Sequence, residues 1–388
     1  MPSNVSLELR KFVAPEIIFG AEARTLVGRH AQMLGGKRVL LVTDPGVVAA
    51  GWAPEIQSLL EAEGLEVTRF EGVSPNPRHH EVMAGTERYL ATRSDLLVAI
   101  GGGSVIDCAK GIGIVVSNGG SILSYEGVDQ VPLPMPPLIC IPTTGGTSAD
   151  VSQFAIINNT EERVKIAIIS KSVVPDVALI DPATLITMDP YLTACTGMDA
   201  LVHAVEAFVS NAASPLTDIH ALAAVRLLSS SLHRSVADPN NLHLRADVMM
   251  ASLQAGLAFS NASLGSVHAM AHSLGGFKDL PHGECNALLL PHVVDYNFAS
   301  SPERYALLGE ALGLQLRGTT ESETRKRLIQ ALSDLRLSCG ILDGLAQRGV
   351  GTSDLGQLAA MAIKDPCNAT NPREPSRADL QAIYAEAM

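Results

Sequence analysis

The stretch Asp95-Leu-Leu-Val-Ala-Ile-Gly-Gly-Gly-Ser104 decides the fold class of the first half of this chain. Five consecutive apolar residues are typical of a strand that is buried on both faces of a parallel sheet. Glycines directly after such a strand let backbone amides approach a diphosphate, and the N-terminus of a following helix favours negative charge. The sequence therefore predicts a nucleotide loop here, with an ordinary tight turn as the alternative.

The regions around this stretch predict two domains. Helix-like segments, at 53–63 and 81–92, alternate with apolar runs, which favours a parallel sheet covered by helices. From about residue 187 the pattern becomes helical throughout. We expect an α/β nucleotide-binding domain at 1–186 and an all-α, metal-binding and catalytic domain at 187–388. The other predicted strands are Arg38–Asp44, Pro137–Pro142 and Val177–Asp181.

The helical half carries one carboxylate and several histidines at metal-ligand spacing. Asp199 and His203 are four residues apart, as are His268 and His272, and each spacing stacks two side chains on one helix face. His282 lies between a proline and a glycine, which favours a loop. Imidazole and carboxylate groups suit a divalent ion such as Fe²⁺ or Zn²⁺, and an open position would let the ion polarise a substrate oxygen. The pattern indicates an enzyme, since histidines without a ligand would rarely recur so regularly.

Composition excludes several classes of function. The chain of 388 residues carries a formal charge of −12, which disfavours a nucleic-acid or anionic-membrane partner. Its six cysteines lack the CxxC spacing of a zinc site and are too scattered for a disulfide scaffold. No run approaches the ~18 apolar residues of a membrane-spanning helix, and the first residues lack a signal peptide's apolar core. We expect a cytoplasmic protein.

Two further polar positions follow predicted strands. Asp44 could accept hydrogen bonds from an adenosine ribose and would repel a 2′-phosphate, which favours NAD over NADP. The alternative is a turn former before Pro45. Thr143 and Thr144 begin a loop, 142–148, whose hydroxyl groups could contact the cofactor or could mark only the end of a strand.

Taken together, these segments resemble the iron-containing (group III) alcohol dehydrogenases, within the superfamily that shares the dehydroquinate synthase-like fold. The resemblance extends over nearly the full length of the chain. The segments that carry it are Pro15–Gly20, Pro75–Pro77, Gly101–Lys110, Tyr125–Gly127, Gly197–Glu206, His268–Gly276, Pro281–Gly283, Leu290–His292 and Asp365–Arg373.

The resemblance implies roles for individual residues. The family's metal ligands fall on Asp199, His203, His268 and His282, and His272 falls on a histidine near the substrate. Cofactor positions fall on Asp44, Gly102, Gly103, Ser104, Thr143, Thr144 and Lys165, and Cys367 matches a position close to the substrate pocket. The loop after Pro142 departs from the family pattern, because Gly145 replaces Ala, Ser148 replaces Gly and Asp150 replaces Glu.

The implied activity is reversible hydride transfer between a short-chain primary alcohol and NAD, with Fe²⁺ as the ion and Zn²⁺ as its alternative. His272 either relays a proton or orients a ligand, and Phe259 is either a pocket wall or ordinary helix core. Alternatives are a polyol dehydrogenase, another oxidoreductase on this fold, or a non-catalytic regulatory protein. Expected partners are a small alcohol or aldehyde and a second copy of the chain, in a homo-oligomer that is a dimer, without nucleic acid or membrane.

Overall fold

A computed structural model of the chain describes residue 9 and residues 11–388. These residues form two compact units, one of Val13–Met188 and one of Asp189–Met388 together with Leu9, Lys11 and Phe12. The domain boundary predicted after residue 186 lies two residues before this division and remains a prediction.

The first unit contains the strands. In chain order they are β1 (Glu16–Phe19), β2 (Arg38–Val42), β3 (Glu66–Phe70), β4 (Leu96–Gly101), β5 (Gly127–Val128), β6 (Leu138–Pro142), β7 (Phe154–Asn159), β8 (Val164–Ile169) and β9 (Val177–Ile180). Its helices are α1 (Val27–Met33), α2 (Pro45–Ala49), α3 (Trp52–Ala62), α4 (His79–Ala91) and α5 (Gly103–Asn118).

Six of these strands form a parallel sheet in the order β1-β9-β6-β4-β2-β3. Alternate residues of the central strands β2, β4 and β6 enter two separate apolar cores. Leu40 and Leu97 pack with residues of α4 and α5 on one face, whereas Leu41 and Val98 pack with residues of α1 and α3 on the other. Continuous apolar runs are required because both faces are covered, and the predicted parallel sheet is confirmed.

The order of the strands creates a switch point between β2 and β4. From β2 the chain moves outward to β3, and it then returns to the other side of β2 as β4. In open parallel sheets, ligands bind at the carboxyl ends of the strands where the direction of winding reverses. Asp44 follows β2 and Gly102 follows β4, so both predicted cofactor positions lie at this end of the sheet.

A second, smaller sheet has the order β5-β8-β7, with β7 and β8 antiparallel. These three strands are not among those that the sequence predicts. This smaller sheet carries Lys165 on β8, and Lys165 is one of the residues that the resemblance assigns to the cofactor.

The second unit is helical in its described residues. Its helices are α6 (Pro190–Val209), α7 (Pro215–Ala237), α8 (Leu242–Ala262), α9 (Ser266–Lys278), α10 (His282–Asn297), α11 (Pro302–Ala311), α12 (Glu321–Ser338), α13 (Leu355–Ala362) and α14 (Arg377–Glu386). The central helix α6 packs against α7, α8 and α10, and α9 packs against α10 and α13. By length and composition alone α6 could cross a membrane, but 94% of its apolar window is buried inside the protein, as in the core helix of a globular domain.

Candidate metal centre and cofactor loops

Helix α6 presents three buried polar side chains on one face. Asp199, His203 and Glu206 are spaced by four and then three residues, which places them one above another. Each is less than 5% exposed. An Asp189 cap and Pro190 in the first turn start this helix. Burial of three polar side chains along one stripe indicates a site rather than a packing surface.

Two further helices bring histidines to this stripe. His268 Nε2 of α9 lies 3.8 Å from Asp199 Oδ1, and His282 Nε2 of α10 lies 3.7 Å from the same oxygen. The three donor atoms all lie within 4.8 Å of one another. The structure therefore brings together the donor atoms of three of the four residues that the resemblance assigns as metal ligands.

His203, the fourth of these residues, joins the group through its ring. It stacks on His268, with ring centroids 4.6 Å apart, and on Phe259 of α8, with centroids 4.3 Å apart. Phe259 is only 3% exposed. Phe259 thus occupies a buried core position against a candidate ligand, and its role as a wall of the substrate pocket remains a prediction.

His282 is not in a loop, contrary to the sequence-based expectation. It is the first residue of α10, directly after Pro281. Gly283 explains the misleading pattern, because a Cβ at this position would lie 2.3 Å from the Cys195 carbonyl oxygen of α6. The glycine is therefore needed for close packing of two helices and not for a turn.

Glu206 ends the segment Gly197–Glu206 of the resemblance, which assigns no role to it. Its Oε2 lies 2.6 Å from His268 Nδ1, and its Oε1 accepts from the Val267 amide at 2.7 Å. A carboxylate on Nδ1 leaves Nε2 of the neutral imidazole free to face an ion. Burial raises the pKa of Glu206 to about 7 and lowers the pKa of His268 to about 3. The spacing of seven residues from Asp199 was the signal that could have identified Glu206.

His272 belongs to a second group, with Asp365 and Cys367. Its Nδ1 donates to Asp365 Oδ2 at 2.8 Å, and the other Asp365 oxygen accepts from the Cys367 amide at 2.9 Å. Burial alone would raise the pKa of Asp365, but the His272 imidazole and the Cys367 amide hold it below its usual range. Burial also raises the pKa of the Cys367 thiol well above its usual value, so this sulfur remains protonated.

The arrangement of the donors fits a divalent first-row ion. One carboxylate oxygen and imidazole nitrogens are the ligand types that Fe²⁺ and Zn²⁺ accept. His268 already has its Nδ1 directed to Glu206, as ligating histidines usually do. Asp199, His268 and His282 would hold the ion through these atoms, and His203, the fourth residue that the resemblance assigns as a ligand, packs its ring against His268.

In the first unit, the glycine loop lies against the second predicted polar loop. A Cβ on Gly102 would lie 3.1 Å from Thr144 Cγ2, and one on Gly103 would lie 2.7 Å from Thr147 Oγ1. The Thr143 amide donates to the Gly101 carbonyl at 3.0 Å. This close approach leaves no room for a Cβ on Gly103, which is the first residue of α5.

Ser104 and Lys165 meet through Asn76, which lies in the Pro75–Pro77 segment of the resemblance. The Asn76 amide donates to Ser104 Oγ at 3.2 Å, and Lys165 Nζ donates to Asn76 Oδ1 at 2.8 Å. Asn76 takes a φ of 56°, which asparagine tolerates better than most residues. Asn76 thus connects two predicted cofactor positions.

Asp44 and Ser148 each have a defined backbone role in the first unit. Asp44 is the N-cap of α2, where its Oδ1 accepts from the Val47 amide at 2.9 Å. This is the turn-forming role that the sequence left open, and it leaves the second carboxylate oxygen for a ligand. Ser148 takes a φ of 50°. This region favours glycine, which is the residue that the resembled family carries there.

Comparison with known proteins supports the resemblance over both halves of the chain. Residues 14–182 match the family model described as iron-containing alcohol dehydrogenase, and residues 193–388 match the one described as the C-terminal part of the Fe-containing alcohol dehydrogenase family.

Individual relatives match over almost their whole length. The 1,3-propanediol dehydrogenase of Klebsiella pneumoniae is 40% identical, over 99% of this chain and 100% of the relative. The NAD-dependent methanol dehydrogenase of Bacillus methanolicus is 36% identical, over 97% of this chain and 99% of the relative. A crystal structure of 1,3-propanediol oxidoreductase superposes with a TM-score of 0.95 at 40% identity, covering 98% of this chain and 100% of that one.

Proposed function

The chain belongs to the iron-containing alcohol dehydrogenase family and is an oxidoreductase, and we propose that it interconverts a short-chain primary alcohol and its aldehyde with NAD and Fe²⁺. The observation that carries this proposal is the convergence of the Asp199, His268 and His282 donor atoms inside the helical unit. A purely regulatory protein would have no need for an ion with an open coordination position.

The residues around the ion define how it would be held. Asp199, His203, His268 and His282 are the proposed ligands, and Glu206 fixes the tautomer of His268. A divalent ion, when bound, supplies a Lewis acid that lowers the pKa of the alcohol hydroxyl group. Zn²⁺ would bind the same oxygen and nitrogen donors more tightly than Fe²⁺, so metal analysis has to distinguish the two.

His272 is the proposed proton relay. Because its Nδ1 donates to Asp365, the neutral ring carries its lone pair on Nε2. Asp365 fixes the orientation of the ring, so Nε2 can accept a proton from one fixed direction. Cys367, protonated and buried beside this pair, is proposed as part of the apolar wall, together with Phe259.

The small side chains beside the histidines support a small substrate. Ala269 and Ala271 are fully buried on α9, between and beside His268 and His272. Two curated relatives are named for 1,3-propanediol and methanol, which are small alcohols.

The position of the cofactor loops supports NAD as the hydride acceptor. Gly102, Gly103 and Ser104 follow β4 at the switch point of the sheet, where dinucleotides bind in related parallel sheets. Thr143 and Thr144 lie in the loop that packs against these glycines, and Lys165 of β8 is linked to Ser104 through Asn76. Asp44 follows the neighbouring strand, and its carboxylate would accept hydrogen bonds from the adenosine ribose and repel a 2′-phosphate.

The experiment is metal analysis of protein purified without oxygen, followed by steady-state rates with ethanol, 1-propanol, 1,3-propanediol, glycerol and a keto acid. We expect bound Fe²⁺ and the highest kcat/KM for a short-chain alcohol. His282→Ala should lose metal and most turnover. His292→Ala is the matched control, because this histidine lies on the same helix but has its Nδ1 4.0 Å from Glu386, away from the donor group.

Two results would overturn the proposal. One is full activity in a metal-free His282→Ala protein. The other is a kcat/KM for glycerol or the keto acid far above that for the short alcohols, which would favour a polyol dehydrogenase or another oxidoreductase. That the enzyme is a cytoplasmic homodimer remains a prediction, to be measured by its mass in solution and its location in the cell.

A further inference from the structure

The side-chain amide of Asn286 lies among the three converging donor atoms. Its Nδ2 is 2.6 Å from Asp199 Oδ1, and 3.2 Å from Nε2 of both His268 and His282. Asn286 is fully buried. It is thus in hydrogen-bonding range of all three of these donor atoms.

Helix α10 delivers this amide together with a ligand. Asn286 follows His282 by four residues and therefore shares its face of the helix. Gly283 lets this face approach α6 closely, since a Cβ there would lie 3.3 Å from Asp199 Cβ. The same close helix contact therefore positions both His282 and Asn286.

Packing alone does not account for an amide at this position. An amide nitrogen has two hydrogens, so it can satisfy only two of the three acceptors, and the charged carboxylate at the shortest distance is the strongest. Asn286 Oδ1 is buried and has no hydrogen-bond partner among the described residues. An unpartnered buried carbonyl costs about 1–3 kcal/mol. An apolar side chain would avoid this cost but would leave Asp199 without its donor.

We propose that Asn286 is a positioning residue of the metal site. Its Nδ2 donates to Asp199 Oδ1 and holds this oxygen beside the two imidazole nitrogens before an ion arrives, so that the ligands need little rearrangement on binding. This inference rests on the proposed metal site and adds a residue to it. Because Asn286 acts through Asp199, its removal should change ion affinity even where no alcohol or NAD is present.

The test is the affinity of chelator-stripped protein for Zn²⁺, measured by competition with a chromophoric chelator. Asn286→Leu keeps the approximate size of the side chain and removes its donor. We expect the Kd for Zn²⁺ to rise by roughly 10–100-fold, as for other residues that orient ligands. The visible spectrum of the Co²⁺-loaded protein should also change, because the spectrum reports the geometry of the ligands.

Asn297→Leu is the matched control. Asn297 is also a buried amide on α10, but it pairs with Asn371, with amide contacts of 2.9 and 2.8 Å. Its substitution should lower the thermal midpoint without changing the Kd for Zn²⁺. If Asn286→Leu fails to fold, Asn286→Ala removes the same donor without adding branched bulk.

Three results have distinct meanings. A wild-type Kd and Co²⁺ spectrum in the folded Asn286 variant would contradict the proposal. Equal weakening in the Asn297 variant would also contradict it, because the effect would then be a general one of disturbing α10. If His282→Ala retained wild-type affinity for Zn²⁺, the proposed metal site itself would be wrong, and the failure would lie there.

Discussion

Substitution of Gly283 by alanine should damage the metal site through backbone packing alone. A Cβ at this position would lie 2.3 Å from the Cys195 carbonyl oxygen and 2.8 Å from its carbonyl carbon. Carbon and oxygen atoms in close contact usually stay at least about 3.3 Å apart, so α10 has to move from α6 by about 1 Å. The obstacle is helix backbone, which cannot rotate aside as a side chain can.

The displacement has a calculable effect on ion binding. Overpacking of a core costs about 1–3 kcal/mol, and each 1.4 kcal/mol corresponds to a tenfold change in affinity. Because the movement of α10 displaces His282 from its position facing Asp199, the Kd for Zn²⁺ should rise roughly 5- to 150-fold. The thermal midpoint of the metal-free protein should fall as well.

Chelator competition and thermal unfolding would measure both effects. Gly356→Ala is the matched control, since its Cβ would meet only Arg377 Nη2 at 3.8 Å and Gln381 Oε1 at 4.0 Å. This glycine lies in α13, so alanine should leave the protein unchanged or stabilise it by up to about 1 kcal/mol. A folded Gly283→Ala protein with wild-type Zn²⁺ affinity and midpoint would refute the packing argument.

Two other substitutions test one residue beside the metal ligands, Glu206, and one residue assigned to NAD, Asp44. In Glu206→Gln the side-chain oxygen can still accept the hydrogen bond from the Val267 amide, but the new NH₂ group would face His268 Nδ1, so the His268 tautomer with a lone pair on Nε2 is no longer favoured. The affinity for Zn²⁺ should fall roughly 10–100-fold. An unchanged Kd for Zn²⁺ would argue against this role of Glu206. Asp44→Gly should narrow the preference for NAD over NADP, chiefly by lowering the KM for NADP. A wild-type enzyme that already prefers NADP would show that Asp44 has been wrongly assigned.

The parts of the fold that were predicted from sequence are those with a local periodic pattern. Apolar runs such as Leu96–Ile100 predicted strands because both faces of the sheet are covered, and the pairs on α6 and α9 predicted helices that present two polar side chains each on one face. The six-residue strands β7 and β8 were missed. They are antiparallel to each other in a separate sheet, and polar residues shorten their apolar runs, since β7 ends in Asn158 and Asn159 and β8 has Lys165 as its second residue.

The site was predicted less completely because its supporting contacts join distant segments. Asp365 is 93 residues from His272, and no local spacing links them. Glu206 did carry a signal, since it continues the helical stripe of Asp199. Its function nevertheless depends on His268, which reaches it from another helix.

Asn286 shows why one incorrect local assignment conceals a second residue. A proline before His282 and a glycine after it predicted a loop, and in a loop a residue four positions later has no defined direction. Once α10 begins at His282, the same spacing places Asn286 on the ligand face, where its Nδ2 is 2.6 Å from Asp199 Oδ1. From sequence alone, Gly283 is compatible with a loop and with a helix that packs closely on another helix. The structure shows the second, because a Cβ at Gly283 would collide with the Cys195 carbonyl oxygen. The helix start, the close approach to α6 and the position of the amide therefore depend on one another, and substitutions at Gly283 and Asn286 should weaken ion binding by different routes.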